Sequence, residues 1–258
     1  MKRLVTSLLV SAAFGASASN GAPERPLIMQ PEISPDGTQI AFSYQGDIWT
    51  MSTSGTNPNR LTIHEGYESS PKWSKDGKTI AFSSDRFGND DVFVMPSQGG
   101  RPDRLTYHSA PDRVLGFGHD NQVLFNTRRL YAEVEREWEV YGVAPSGDAT
   151  EARFMDALGF DAVVSPDGKK IAFVRGTCRI SREDYRGPAN RNIWIYDTET
   201  GEYEQLTDFD GNDFMPQWSS NNELYFISSR AGKYNVFRQK LGSNRAEQIT
   251  DEREFGVE

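Results

Sequence analysis

Three arginines occupy one position of a repeated pattern and could bind an anion. Each lies six residues after the start of a short apolar run, and they are Arg86, Arg129 and Arg230. A guanidinium binds a carboxylate through two parallel hydrogen bonds. A ring of such groups facing a channel would grip peptide carboxylates, whereas an arginine copied in several repeats would pair with a carboxylate or loop carbonyl of its own repeat. Repetition favours the structural role, and the three arginines are kept as candidate ligand or channel residues.

Few residues could support acid–base or nucleophilic catalysis. The chain has three histidines. His64 and His108 each lie two residues after a Leu-Thr pair, and His119 lies in a turn. Neither a Gly-x-Ser-x-Gly elbow nor a His-Glu-x-x-His motif occurs in the sequence. Because a catalytic triad is unique and is not copied from repeat to repeat, we predict no catalytic residue.

A metal or a cofactor is not expected either. The stretch from Asp208 to Asp213 could offer oxygen ligands to calcium, but it lacks the spacing and the terminal glutamate of the EF-hand loop. Acidic loops between repeats are common, so we predict no metal site there. Cys178 is the only cysteine, which rules out a disulfide within the chain.

The elements that would position these residues form a repeat. Five turn segments end in Gly or Asn, which enter left-handed backbone space most easily, and each is preceded by Asp or Asn. They begin at residues 34, 74, 118, 165 and 219. A short apolar run, a polar–β-branched–aromatic triplet and, in four copies, an Arg/Gln-Leu/Ile-Thr triplet follow each turn. Each copy therefore predicts four short strands.

Four strands in a unit of about 40 residues are typical of a β-propeller blade. We predict an all-β fold of four-stranded antiparallel blades over residues 19–258, with five blades visible. Their approximate ranges are 27–62, 70–106, 113–154, 160–207 and 214–250. A sandwich is the competing all-β fold, but its strands would not repeat in groups of four. The predicted interblade core is aromatic: Trp49, Phe82, Phe93, Trp194, Phe226 and Phe237.

The N-terminus indicates export. Lys2 and Arg3, an apolar stretch from Leu4 to Phe14 and the small residues 16–18 match a secretory signal, so residues 1–18 are excluded from the fold. No later segment has the ~20 apolar residues of a membrane helix. The net charge of −9 becomes −11 when Lys2 and Arg3 are removed. So acidic a chain repels phosphate backbones, which makes nucleic acid an unexpected partner.

The short stretch after the last repeat and the lengths of two loops lead to two further predictions. Ile249-Thr250 completes the fifth blade and only eight residues follow, so we expect a ring interrupted before a sixth blade, although five blades could also close by themselves. Residues 128–138 and 175–191 are longer than their counterparts in other repeats. Loops that lengthen in only some repeats tend to bind partners, so these two segments are the expected contact surface.

Several stretches resemble the N-terminal propeller of tricorn-type serine peptidases. They are PEISPDG at 31–37, RLT and HEGY at 60–62 and 64–67, SDRFGN at 84–89, RLTYH at 104–108 and the long fourth-blade text at 175–197. The resemblance implies a six-bladed propeller followed, usually after a second propeller, by a PDZ-like module and by catalytic domains with a serine nucleophile and its histidine. It implies peptide substrates, which the propellers admit or steer, and downstream peptidase domains or other subunits as partners. The signal sequence points to the exported bacterial branch, in the periplasm or outside the cell.

Two other functions stay open. A TolB-like periplasmic scaffold would bind proteins without enzymatic activity, but its propeller follows an α/β domain, and blade one begins here near residue 27. A five-bladed enzyme with its site at the axis would need converging carboxylates on the inner strands. The inner-strand turns of this chain use their aspartates for hairpin geometry, so gating of peptide substrates is the favoured function.

Overall fold

The computed structural model describes residues 27–134, 137–148 and 150–253, which form strands and turns without a helix. The predicted all-β class is confirmed. Among these residues no helix is long and apolar enough to span a bilayer. The expected signal sequence, residues 1–18, lies outside the described residues.

The strands form five consecutive antiparallel groups, which we call blades one to five. Blade one contains β1 (Met29–Ile33), β2 (Gln39–Tyr44), β3 (Asp47–Ser52) and β4 (Asn59–Arg60). Blade two contains β5 (Glu68–Trp73), β6 (Thr79–Ser84), β7 (Asp91–Pro96) and β8 (Asp103–Arg104). Blade three contains β9 (Arg113–Phe117), β10 (Val123–Thr127), β11 (Trp138–Val143) and the first part of β12 (Ala152–Val164). Blade four contains the rest of β12 with β13 (Lys170–Arg175), β14 (Asn192–Asp197) and β15 (Tyr203–Gln205). Blade five contains β16 (Asp213–Ser220), β17 (Glu223–Ser228), β18 (Asn235–Lys240) and β19 (Glu247–Gln248).

The first strand of each blade is the innermost. β1 packs against β5, β5 against β9, β9 against β12, and β12 against β16. Within a blade the strands follow one another in chain order, so the sheets radiate from their first strands as propeller blades do. Among the described strands, none of blade one pairs with blade five, and strand pairing does not close the ring.

One strand differs from the sequence prediction. The sequence indicates a degraded fourth strand at 151–154 and a new blade from 160, but β12 runs without interruption from blade three into blade four. Glycine is required at position 159 of this continuous strand. A Cβ there would lie 2.6 Å from the Phe173 ring and 2.9 Å from the Val174 carbonyl oxygen, which is too close for either atom. The two blades therefore form one seven-stranded sheet.

The hairpin turns use their aspartates as the sequence predicts. Asp36 Oδ1 accepts hydrogen bonds from the Ser34 hydroxyl at 2.6 Å and from the Thr38 N–H at 3.0 Å. These bonds, led by that from Ser34, lower the pKa of Asp36. Gly37 completes the turn with a φ of +74°. Asp76 and Asp167 accept the same pair of bonds in blades two and four.

The core is built from one aromatic position of the second strand in every blade. These side chains are at most 1% exposed: Phe42, Phe82, Phe125, Phe173 and Phe226. Of the predicted aromatic core, the four phenylalanines are buried. Trp49 and Trp194 are only half-buried, and Trp194 lines a cavity beside blade four.

A threonine hydroxyl ties the third and fourth strands together in four blades. In blade two the fully buried Thr106 Oγ1 accepts the Val92 N–H at 3.0 Å. Thr62, Thr207 and Thr250 accept the equivalent N–H groups at 2.9 to 3.0 Å. The Arg/Gln-Leu/Ile-Thr triplet of the repeat is therefore a strand-end cap.

Replacing this threonine should destabilise the fold. Thr106→Val keeps the shape of the side chain but leaves the Val92 N–H buried without its acceptor, which costs about 1–3 kcal/mol. Urea unfolding followed by tryptophan fluorescence measures the loss. Thr56→Val, at an exposed position, is the matched control and should stay within about 0.5 kcal/mol of the unmodified chain. Equal effects of the two substitutions would contradict the capping role.

Candidate functional site

The three candidate arginines are each paired with a buried carboxylate near the first strand of their own blade. Arg86 Nε donates to Glu68 Oε1 at 2.8 Å. The Nη2 atoms of Arg129 and Arg230 donate to Asp112 and Asp213 at 2.6 and 2.8 Å, and all three carboxylate side chains are fully buried. The predicted pairing of each guanidinium within its blade is confirmed.

Aromatic rings enclose the same guanidiniums. The Arg86 Cζ lies 5.2 Å from the centre of the Phe93 ring, and the Arg230 Cζ lies 5.0 Å from that of Phe209. Burial raises the pKa of Asp213, and Arg230 opposes that shift. Each arginine is thus held by an ion pair and by rings, and a further role as a peptide ligand stays a prediction.

The three histidines lie within hydrogen-bond distance of neighbouring groups, and Asp213 of the acidic stretch pairs with Arg230. His64 Nδ1 and His108 Nδ1 each accept, at 2.9 Å, the N–H of the residue two positions later. His119 Nδ1 lies 3.1 Å from the Thr198 hydroxyl. Within the described ranges, no group of three or more His, Cys, Asp or Glu side chains is arranged to hold a metal ion.

Two adjoining cavities of about 510 and 490 Å³ lie beside blade four. Glu137, Arg175 and Trp194 line both of them. The first is otherwise lined by Asp156, Ala157, Leu158, Phe173 and Tyr203. The second is otherwise lined by residues 176–177 and 188–190 with Asn192 and Gln205. We call the two together the interblade cleft.

Blade four supplies one wall of the cleft. Arg175 pairs across strands with Asn192, and Trp194 lies between Phe173 on one side and Gln205 on the other. Because cross-strand partners share a face of the sheet, these side chains all face blade three. The side of the sheet that faces blade five instead carries Ala172, Val174 and Ile193, which belong to a closed apolar cluster.

The two long segments supply the rim. Glu137 belongs to segment 128–138, and Arg175 opens segment 175–191. Glu137 Oε1 accepts the Gly176 N–H at 3.4 Å and so connects the segments. The sequence thus indicates these segments as a surface, whereas it gives no sign that Trp194 and Tyr203 line a cavity between them.

The cleft combines aromatic walls with polar groups. The Tyr203 hydroxyl accepts the Asp156 and Ala157 N–H groups at 3.0 and 3.1 Å, which fixes the ring. Asn192 Oδ1 is buried without a hydrogen-bond partner among the described residues. Arg175 forms no ion pair with a described residue, and its Cζ lies 5.8 Å from the Trp194 ring centre. Aromatic surface with a few polar groups is typical of a ligand site.

Comparisons with known proteins agree with the sequence patterns. The family described as the tricorn protease N-terminal β-propeller domain matches residues 25–258. A tricorn protease homolog of Saccharolobus solfataricus is 27% identical over 219 residues, which are 83% of this chain and 20% of that protein. The chain thus spans about a fifth of that relative.

Two solved structures share the fold. The crystal structure of the tricorn protease superposes with a TM-score of 0.68 at 19% identity, covering 88% of this chain and 23% of that one. A putative TolB from Agrobacterium tumefaciens superposes with a TM-score of 0.67 at 21% identity, covering 87% and 80%. At these identities the two structures support the fold alone.

Proposed function

The chain belongs to the family of tricorn protease N-terminal β-propeller domains, and on this basis we propose that it binds peptides and steers them toward serine peptidase domains or other subunits. Binding and gating are the proposed role of this propeller, and no residue of the interblade cleft is assigned to bond cleavage. The proposal includes export to the periplasm or the cell exterior, which the N-terminal sequence pattern supports.

The interblade cleft is the observation that carries the proposal. It joins the accessible rings of Trp194 and Tyr203 to amide and charged groups, the mixture that suits a peptide with side chains and unpaired backbone groups. Its rim comes from the two segments that lengthen only in blades three and four.

Peptide binding by the full chain tests the proposal. A set of capped decapeptides of mixed sequence should bind in isothermal titration calorimetry, and Trp194→Leu should weaken binding about tenfold, because it removes the largest aromatic wall. Trp49→Leu is the matched control, since Trp49 faces Phe42 as Trp194 faces Phe173. Absence of binding, or equal losses in both variants, would contradict the proposal.

The ring is proposed to hold a sixth blade. Ile33 is 63% exposed, whereas Trp73 and Phe117 at the same position of blades two and three are 8% and 5% exposed. A blade packed on that face would bury Ile33, as the preceding blade buries Trp73. A longer form of the protein in which Ile33 stays exposed would contradict this part of the proposal.

A TolB-like scaffold is the second candidate, because the TolB structure shares the fold of this chain as closely as the tricorn structure does. A scaffold would bind a folded protein over a broad surface. Trp194→Leu would then leave partner binding unchanged, whereas it weakens the binding of short peptides if the first candidate is right.

A further inference from the structure

We propose that the interblade cleft selects peptides with a basic side chain, lysine or arginine. The inference rests on the proposed peptide binding and names the ligand class of that site. It follows from the arrangement of two accessible aromatic rings and two carboxylates around one cavity.

Trp194 and Tyr203 offer aromatic surface to a cation, and the fully buried Phe173 supports them from behind. Tyr203 is 38% exposed and stands edge-on to Phe173, with ring centres 6.2 Å apart and an interplanar angle of 81°. Trp194 lines the same cavity. The Arg175 Cζ lies 5.8 Å from the centre of the Trp194 ring, so a guanidinium of the chain itself already occupies this environment. Ammonium and guanidinium groups are attracted to such faces within about 6 Å.

The charges at the rim favour a cationic ligand over an anionic one. Glu137 lines both cavities and accepts a long hydrogen bond from the Gly176 N–H. Asp156 is 97% exposed and is partly offset by Arg153 at 3.9 Å. Against these two carboxylates the lining contains one cation, Arg175. The net charge of −9 on the chain adds an attractive field for basic peptides.

Arg175 distinguishes two opposite selectivities. If the cleft binds a basic side chain, the Arg175 guanidinium competes for the Trp194 face and repels the ligand. If the cleft instead binds an acidic side chain, Arg175 is its anchor. Removing the charge of Arg175 therefore strengthens binding in the first case and weakens it in the second.

Three capped hexapeptides that differ at one position test the inference with the full chain. Their variable residue is lysine, norleucine or glutamate, and their blocked termini leave it as the only charge. Calorimetry at low salt should give the lysine peptide at least about fivefold tighter binding than the norleucine peptide and about tenfold tighter binding than the glutamate peptide. Arg175→Gln should tighten the lysine peptide about two- to fivefold.

Glu137→Gln should remove most of the preference for lysine over norleucine. Glu65→Gln, at an exposed position of a blade-one loop, is the matched control for net charge and should retain it. Equal binding of the three hexapeptides, preference for glutamate, or weaker lysine binding in Arg175→Gln would overturn the inference while peptide binding stands. If the mixed decapeptides also fail to bind, the proposed function fails with it.

Discussion

The Arg129→Met variant is expected to lose about 3–5 kcal/mol of unfolding free energy, because it leaves a buried carboxylate without its cation. The Arg129 side chain is 8% exposed and Asp112 is fully buried. Arg129 Nη1 also donates to Glu151 at 2.9 Å, and its ring neighbours are Phe125 and Tyr141. Chemical denaturation of the full chain measures the loss, and the methionine preserves most of the apolar stem.

Arg113→Met is the matched control for this prediction. Arg113 lies 3.1 Å from Asp90 but is 57% exposed, so solvent screens the pair and the loss should stay below about 1 kcal/mol. If Arg129→Met is as stable as the unmodified chain and loses peptide binding alone, the arginine is a ligand and its structural role is wrong. A loss of stability that greatly exceeds that of Arg113→Met supports the pairing seen in the structure.

Local features of the blades could be predicted from the sequence. Turn geometry depends on residues within five positions of one another. The types of Ser34, Asp36 and Gly37 are therefore enough to predict the turn. The pairing of Arg86 with a carboxylate follows from repetition, since a residue copied in several blades serves what the blades share. The equivalent positions of His64 and His108 likewise correspond to one hydrogen bond made twice.

Contacts between blades could not be predicted in this way. The continuous course of β12 depends on the close approach of Gly159 to blade four, a contact with no local sequence pattern. The interblade cleft likewise depends on residues of blades three and four that are far apart in the sequence, such as Glu137 and Trp194. For this reason Trp194 has the sequence pattern of a core residue, although in the structure it lines a cavity.

Some blades have a charged pair and others a neutral pair at the same two positions of the third and fourth strands. This equivalence could be recognised only from the contacts in the structure. Where the third strand begins with Asp, the fourth carries Arg, as in Asp47 with Arg60 and Asp91 with Arg104, which lie 2.5 and 2.7 Å apart. Blades four and five have Asn and Gln at the same two positions. The long side chain keeps one bond in all four blades: Arg60, Arg104, Gln205 and Gln248 each donate to the carbonyl of the threonine two residues later. A neutral pair can therefore replace the charged pair if both members change.

Conversion of blade two to the neutral pair tests this equivalence. Arg104→Gln alone should cost about 3–5 kcal/mol, since Asp91 is fully buried and loses its cation. Asp91→Asn combined with Arg104→Gln should be at least about 2 kcal/mol more stable than Arg104→Gln alone. Both variants lose the contacts of Arg104 with the Phe87 and Tyr107 rings, at 4.3 and 4.5 Å, so that loss cancels in the comparison.

Acidification separates the electrostatic cause from a packing defect. Burial raises the pKa of Asp91, so the folded protein holds a proton on Asp91 at a pH where the unfolded chain has released it. The contribution of this carboxyl to stability therefore falls as the pH rises through the raised pKa, and it falls further once Arg104 is removed. Denaturation at stepwise lower pH should narrow the difference in unfolding free energy between Arg104→Gln and the double variant. The reason is that protonation neutralises Asp91 in the single variant, whereas the double variant has no carboxyl at this position. A gap that stays constant with pH would show that the lost guanidinium matters for packing and not for the charge of Asp91.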